Sequence, residues 1–385
     1  MYKRLLLPHL QRDPKSMLLL GPRQVGKSTL LESLKPDLSV DLASPSVFRD
    51  YVTDPARLER ELAAAGPTVR TVLIDEVQKV PALLDVVQVF SDRHKGRFRF
   101  LLSGSSARKL KRGHANLLPG RIHIHRLHPL LQRELEADFS LVRVLTHGTL
   151  PGIYSEKDAS VRSQDLRSYV DAYLREEIQA EALVRDLGGY ARLLDLAAAA
   201  SGTILNLSAL CREAGIGYET ARRYLEVLED TLLLFRVPAW SGSDRASLVA
   251  HPKRYLFDIG VRNALLRRPL DRFLEDEKGL LLEHWIAQEI HGRTETLWPG
   301  MSLFHYRTKH GAEVDFVLEI GRETWAVEVK ASRQVSAASL AGFSSLAPRV
   351  KRLTRRIVVF LGERRQKMGD VDVIPLEGFL GELPA

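Results

Sequence analysis

One cysteine in 385 residues, Cys211, excludes an intramolecular disulfide framework and any zinc site built from several thiolates. No apolar run approaches the length of a membrane span. The opening Met1-Tyr2-Lys3-Arg4 resembles a secretory n-region, but the apolar Leu5-Leu6-Leu7 behind it stops too early at Pro8. There is no internal repeat, and no low-complexity tract beyond the helix-like Ala197 to Ala200. Neither sign of charge dominates. Lys+Arg number 56 against Asp+Glu 48, a formal net charge of +8 that suggests a polyanionic partner, most simply nucleic acid, and says nothing about fold. What is present is ordinary: 45% hydrophobic and 27% charged residues rule out disorder, collagen and coiled coil as whole-chain readings. At roughly 100–200 residues per domain the length predicts two or three domains. The expectation is a cytoplasmic protein of a reducing compartment with no membrane partner.

The first third alternates short apolar runs with helical patterns, which predicts an α/β fold around a parallel sheet. Strands are expected over residues 17–20, 38–42, 71–74 and 97–102, and helices over 55–65 and 81–93. Pro55 and Pro81 would open those helices, where a missing N–H costs nothing. Over 130–200 the strand signal nearly vanishes, and a helix is expected over 168–185. Residues 207–215, the turn Ile216-Gly217 and residues 218–230 read as a helix-turn-helix, with strand-like 232–237 and 254–257 as a candidate wing. Ala221, Leu225, Leu228 and Leu232 form its expected buried stripe. Arg222 and Arg223 then face outward as candidate phosphate contacts, although Glu219, Glu226 and Glu229 weaken the local potential; a packing or subunit interface is the alternative.

Gly21-Pro22-Arg23-Gln24-Val25-Gly26-Lys27-Ser28 fits G-x-x-x-x-G-K-[ST] without a mismatch, after a predicted strand and before the helical Thr29-Leu30-Leu31-Glu32. The glycines let backbone N–H groups close around phosphate oxygens, and the helix N-terminus adds positive potential. Lys27 is expected to reach the β- and γ-phosphates of ATP and the Ser28 hydroxyl to bind Mg²⁺, making Gly21 to Thr29 the candidate nucleotide segment. Val72-Leu73-Ile74-Asp75-Glu76 is an apolar strand ending in two carboxylates. Asp75 is the candidate Mg²⁺ ligand through water, and Glu76 the candidate general base. A second strand ends in hydroxyls, of which Ser103 or Ser105 is the candidate γ-phosphate sensor and Ser106 a neighbour.

This constellation resembles the AAA+ ATPases. That resemblance implies a helical lid after the sheet and an arginine finger that reaches a neighbouring subunit's nucleotide, hence a homo-oligomer. Leu118-Pro119-Gly120-Arg121-Ile122-His123-Ile124 looks like the finger segment, so Arg121 is the candidate and Arg108 the alternative. His123 and His125 share a strand face that suits a metal, with no third ligand visible in the sequence. Basic clusters at Arg108-Lys109 with Lys111-Arg112, and from Arg349 to Arg356, read as solvated faces or binding stripes.

Near the end, Gly311-Ala312-Glu313-Val314-Asp315-Phe316-Val317-Leu318-Glu319-Ile320 and Thr324-Trp325-Ala326-Val327-Glu328-Val329-Lys330 alternate across Gly321-Arg322. A hairpin there pairs Leu318 with Trp325, Phe316 with Val327 and Val314 with Val329 on an apolar face. The same register sets Asp315 opposite Glu328, with Lys330 beside Glu328. Opposed Cβ atoms about 5 Å apart suit two carboxylates sharing one Mg²⁺ or Mn²⁺. Like charges so placed are destabilising without a counter-ion. Lys330 would orient or activate a metal-bound water or stabilise developing phosphorane charge, and Glu283, on a helix expected over 280–290, would complete the cluster. The alternative is a solvated hairpin neutralised by the Glu328–Lys330 pair.

Asp315 and Glu328-Val329-Lys330, preceded by a helix with Glu283 and followed by segments 340–346 and 357–361, look like the PD-(D/E)XK nuclease fold. The resemblance implies that Asp315, Glu328 and the Val329 carbonyl bind the metal and that Lys330 is the catalytic lysine. The proline expected before the aspartate is replaced by Val314. Taken together with Leu73-Ile74-Asp75-Glu76-Val77-Gln78, His147-Gly148-Thr149-Leu150-Pro151 and Arg254-Tyr255-Leu256-Phe257-Asp258-Ile259-Gly260, nearly the whole chain resembles one family. These are predicted bacterial and archaeal AAA+-type ATPases with a C-terminal domain of unknown function related to PD-(D/E)XK nucleases. The implied organisation is an ATPase core over 1–130, a helical lid over 131–200, a winged helix over 201–272 and a nuclease-like domain over 273–385. The implied function is ATP hydrolysis coupled to work on branched, broken or single-stranded DNA. The alternative is a nucleotide-dependent regulatory or defence switch whose nuclease-like domain only docks.

Overall fold

The computed structural model describes residues 2–94, 96–105, 120–180, 186–241, 248–298 and 300–384. The chain divides into two compact units, residues 1–130 with 227–233, and residues 131–226 with 234–385. Among the described residues, no helix is long and apolar enough to cross a membrane.

In the first unit, short apolar runs make the strands β1 (Ser16–Leu20), β2 (Leu38–Asp41), β3 (Thr71–Asp75), β4 (Arg99–Gly104) and β5 (Ile122–Arg126). They form a parallel sheet in the order β2-β3-β4-β1-β5. Every residue of β1 is buried, as a strand covered on both faces must be. Leu18, Leu20, Val72, Ile74, Phe100 and Leu102 supply the core. The expected helices are Ala56–Ala64 and Leu83–Arg93. Pro55 caps the first from outside and Pro81 lies ahead of the second, so both prolines precede the first turn they were expected to open. Because all strands run the same way, the C-terminal ends of β1, β3 and β4 lie at one edge, where ligands of open parallel sheets bind.

The second unit begins with helices, including Leu141–His147, Ala159–Ala180 and Leu187–Ala199. The long one starts nine residues earlier than its pattern suggested, at Ala159 against 168, and residues 181–185 lie outside the described residues. The helices Leu207–Ala214 and Tyr218–Asp230 flank a turn in which Gly215 takes φ 66°. A small antiparallel sheet accompanies them, in which β8 (Lys253–Leu256) lies between β6 (Thr203–Ile204) and β7 (Leu234–Val237). Ala221, Leu225 and Leu228 are buried as expected. Leu232 is not on the helix: it follows the last turn with φ 62° and is only partly buried.

A six-stranded mixed sheet completes this unit, in the order β13 (Gln366–Met368), β14 (Val371–Pro375), β12 (Leu353–Phe360), β11 (Glu323–Lys330), β10 (Glu313–Ile320), β9 (Met301–Arg307). The β10–β11 hairpin has the expected register, Phe316 against Val327 and Leu318 against Trp325. Its apolar face does not. Against β9, the pairing shifts by one residue between Val314 and Val317. Such a bulge puts an extra residue on one strand and breaks the two-residue alternation. Val314 therefore joins Val317, Ala326 and Val358 in one core cluster, instead of lining up with Phe316 and Leu318, and the paired ladder ends at Phe316–Val327, short of the expected Asp315–Glu328 and Val314–Val329 pairs.

Two quoted motifs meet in this unit for packing reasons. Asp258 caps the helix Ile259–Leu265 by accepting from the Val261 N–H at 3.0 Å, and also accepts from the Thr149 N–H at 2.7 Å. A Cβ on Gly148 would meet the Asp258 carboxylate at 2.0 Å, and one on Gly260 would meet the His147 carbonyl oxygen at 2.0 Å.

Candidate functional site

The loop after β1 has the backbone that its glycines predict. Gly26 takes φ 91° and Gln24 φ 61°, which turn successive peptide units toward the concave side. Gly21 has a further reason to be glycine, since a Cβ there would lie 2.4 Å from the Leu127 carbonyl oxygen. Lys27 is 5% exposed and donates from Nζ to the carbonyls of Gly21 at 3.0 Å and Pro22 at 2.9 Å. Ser28 and Thr29 follow in the helix Lys27–Glu32, with Thr29 exposed. Arg4, which the sequence did not single out, braces the loop by donating to the Val25 carbonyl at 2.7 Å and the His128 carbonyl at 2.6 Å.

The ends of β3 and β4 meet beside this loop's edge of the sheet. Ser103 donates to the Asp75 carboxylate and its Oγ accepts the Glu76 N–H at 2.9 Å. Glu76 is held at φ 57°, ψ 42°, a left-handed conformation that costs a non-glycine residue of order 1 kcal/mol. Gln78 donates to the Glu76 carboxylate and to Ser105 Oγ at 3.0 Å. Asp75, Glu76, Ser103 and Ser105 are thus brought together, with Gln78 as the link that sequence reasoning missed. These residues fit a magnesium nucleotide: turned peptide units and Lys27 for phosphate oxygens, Ser28 and Asp75 for the cation, Glu76 for a water.

Arg121 is not at this edge. Its neighbour Ile122 pairs with Ser16, at the start of β1, about 16 Å along the strand from the loop at about 3.3 Å per residue. It makes a two-bond pair with Asp92, Nε to Oδ1 at 2.7 Å and a second nitrogen to Oδ2 at 3.0 Å. It thus lies at the opposite end of its strand pair from its own chain's phosphate loop. Ser106, Arg108 and the basic residues 109–112 lie outside the described residues.

In the second unit, Asp315 at the bulge, Glu328 and Lys330 on β11, and Glu283 on the helix Lys278–Thr296 converge. Gly342 permits the close approach of the helix Ala341–Leu346 to β10, since a Cβ there would meet the Glu313 carbonyl oxygen. Asp315 is 8% exposed and accepts the Val329 N–H at 2.8 Å. Burial, then the Glu283 and Glu328 charges, push its carboxyl well above the usual carboxylate range. Burial raises Glu328 too, against the Lys330 ammonium 2.7 Å away. Burial disfavours the Lys330 charge, but Glu328 outweighs it and raises the ammonium.

The residue missed here is Lys253. It is 3% exposed, and its Nζ lies 2.9 Å from Glu283 Oε1 and 2.9 Å from Glu313 Oε1. Burial opposes its charge, yet Glu283, Asp315 and Glu313 prevail and hold it protonated. The Tyr255 hydroxyl donates to Glu283 at 2.9 Å from the same strand. The four carboxylates of Glu283, Glu313, Asp315 and Glu328 therefore meet three cations, Lys253, Lys330 and Arg307, the last 3.5 Å from Glu313, so that ionising the raised Asp315 leaves one negative charge in excess, which a divalent cation would offset. The oxygen-rich donor set suits Mg²⁺ or Mn²⁺.

Two basic surfaces are less available than the sequence suggested. Arg222 pairs with Glu219 at 2.8 Å. Arg355 pairs with Glu382 and Arg356 with Asp370, each at 2.6 Å.

Residues 13–136 match a family described as an AAA domain, and residues 138–272 and 278–379 match two domains of unknown function, DUF8612 and DUF4143. The chain is 26% identical over 368 residues to uncharacterized proteins of Mycobacterium bovis (strain ATCC BAA-935 / AF2122/97) and Mycobacterium tuberculosis (strain ATCC 25618 / H37Rv), covering 94% of this chain and 80% of each relative. A RuvB variant from Thermotoga maritima is 17% identical, covering 61% of this chain and 87% of that one, with a TM-score of 0.27.

Proposed function

We propose that this protein is a Mg²⁺-dependent ATPase of the AAA type that acts on DNA through a PD-(D/E)XK-like acidic site. The observation that carries the DNA reading is the convergence of Asp315, Glu328 and Lys330 with Glu283 in a pocket with a net negative charge. In the first unit, Lys27 would turn from its loop carbonyls toward the β- and γ-phosphates, with Ser28 and Asp75 as cation ligands. Bound Mg²⁺ supplies charge neutralisation for the phosphates. Glu76, oriented through Ser103 and Gln78, would accept the proton of the attacking water, while Ser103 or Ser105 reports on the γ-phosphate. Arg121 acts, if as a finger, only on a neighbouring copy's nucleotide, which makes turnover depend on homo-oligomer assembly. In the second unit, Asp315, Glu328 and the Val329 carbonyl would hold Mg²⁺ or Mn²⁺, and Lys330 would orient a water toward a phosphodiester. The helix-turn-helix and its small sheet, read as a winged helix, and the preceding helices, read as a lid, would link the two activities.

The test is ATP turnover across single-stranded, duplex and branched DNA, with Lys27→Ala as the inactive control. Stimulation by one DNA class is expected. Unchanged turnover with every DNA ends this reading. Cleavage dependent on Mg²⁺ or Mn²⁺, lost in Asp315→Ala and Lys330→Ala, tests the acidic site separately.

One observation favours a second reading. Lys253, Lys330 and Arg307 already offset most of the charge of the acidic cluster, an arrangement that would serve as a docking surface without cleavage. A nucleotide-dependent regulatory or defence switch would then show DNA-independent ATP turnover and no metal-dependent cleavage.

A further inference from the structure

The exposed edge strand β5 carries His123 and His125, two residues apart and therefore on one face. The third group that the sequence hides is Asp13, which follows the helix Leu7–Arg12 and reaches β5 across the fold. His123 Nδ1 lies 2.7 Å from Asp13 Oδ2, and His125 Nε2 lies 3.2 Å from the same oxygen. All three ligand atoms fall within 4.8 Å of one another. Asp13 is fixed before any ion arrives: its side chain is 7% exposed and its other oxygen accepts the Lys15 N–H at 3.0 Å. The two imidazoles meet edge to face, with ring centroids 6.4 Å apart.

We propose that Asp13, His123 and His125 form a binding site for a borderline divalent transition metal, Zn²⁺ in the first place. Two imidazole nitrogens and one carboxylate oxygen are a donor set for such ions, whereas Mg²⁺ and Ca²⁺ take oxygen. Zinc bonds about 2.0–2.2 Å long in a tetrahedron separate the ligand atoms by about 3.3 Å. The His125–Asp13 spacing already has that value, and the His123–Asp13 spacing needs to open by about half an ångström as a shared proton gives way to the ion. His123 is 48% exposed, so the fourth position opens to water and the ion enters without unfolding the sheet. Met17 pairs with His123 and Leu19 with His125, which places the site beside β1. It would clamp the segment entering β1 to the edge strand. This site does not depend on the ATPase or DNA reading.

The experiment uses the full chain, stripped with chelator and held in excess Mg²⁺ so that oxygen-only sites are filled. Co²⁺ titration should give one equivalent with the intense visible absorption of a four-coordinate site, displaced by Zn²⁺, and Zn²⁺ should raise the melting temperature. His123→Ala and His125→Ala should each weaken binding roughly tenfold or more, at least the cost of losing an outer-sphere partner. His123 is exposed enough for its variant to fold, which circular dichroism verifies. Absence of a stoichiometric cobalt spectrum overturns the proposal. So does a spectrum that both histidine variants retain.

Discussion

Lys253 Nζ sits 2.9 Å from the Glu283 carboxylate, joining the central strand of the small sheet to the helix Lys278–Thr296. Removing one partner of a buried ion pair costs about 3–5 kcal/mol, because the other charges stay behind. Lys253→Met should therefore lower unfolding free energy by about that amount, and saturating Mn²⁺ should restore part of it. Lys253→Arg should lose less. Denaturant unfolding with and without Mn²⁺ measures both, and a loss below about 1 kcal/mol would mean that Lys253 is not the counter-ion described.

Glu76 and Lys27 should separate binding from hydrolysis. Glu76→Gln is expected to keep nucleotide affinity and to lose turnover by about 10²–10⁴-fold, the usual worth of a positioned general base. Lys27→Ala should lose affinity as well. A fluorescent ATP analogue together with phosphate release resolves the two, and equal defects in both assays would remove the base role from Glu76.

Gly260→Ala places a methyl group 2.0 Å from the His147 carbonyl, a backbone atom that cannot swing aside. Destabilisation of about 1–3 kcal/mol is expected from such overpacking, read as a fall in melting temperature with ATP affinity unchanged. A neutral result would contradict the close approach of the two segments.

Three buried histidines should make part of the stability fall on acidification. Burial holds His147 at about 4, His284 at about 3 and His305 at about 4, each below the ordinary 6.5. A folded value below the unfolded one means that the unfolded chain binds the proton first, so this stability is complete above 6.5 and is lost as pH falls toward 4. Asp258 works in the opposite sense, since burial raises it to about 6 and its contribution declines as pH rises from about 4 through 6. The carboxyls of Asp315 and Glu328, also raised, act in the same sense as Asp258, so the histidine share is read by difference between variant and parent in urea unfolding at pH 7 and pH 5. His284→Gln, able to keep the bond to the Leu256 carbonyl, should flatten the slope, and an unchanged slope would acquit His284.

The features readable from sequence are those encoded by neighbours in the chain. The phosphate loop, the strands before Asp75 and Ser103, and the hairpin register depend on local pattern, and each lies within a few residues of its expected place. What escaped depends on distance or on backbone detail. The β10 bulge leaves no trace in an alternation that looks regular from Glu313 to Ile320. Lys253 stands beside a motif that read as a wing, and only folding reveals that it points among carboxylates. Asp13 is separated from His123 by most of the first unit, and Arg4 from Val25 by a helix, a strand and a loop. The motifs at His147–Gly148 and Asp258–Gly260 explain one another sterically.

The hairpin also bears on the order of assembly. Asp315, Glu328 and Lys330 lie on two strands joined by a tight turn, so their contacts close a short loop early. Lys253 and Glu283 must come from farther back along the chain. In the hairpin by itself, Asp315 and Glu328 have Lys330 to offset them, and their repulsion opposes the hairpin at the moment it would nucleate. Magnesium added during refolding should speed this step, and a protein refolded without it should pass through a slow phase that ends when Lys253 docks.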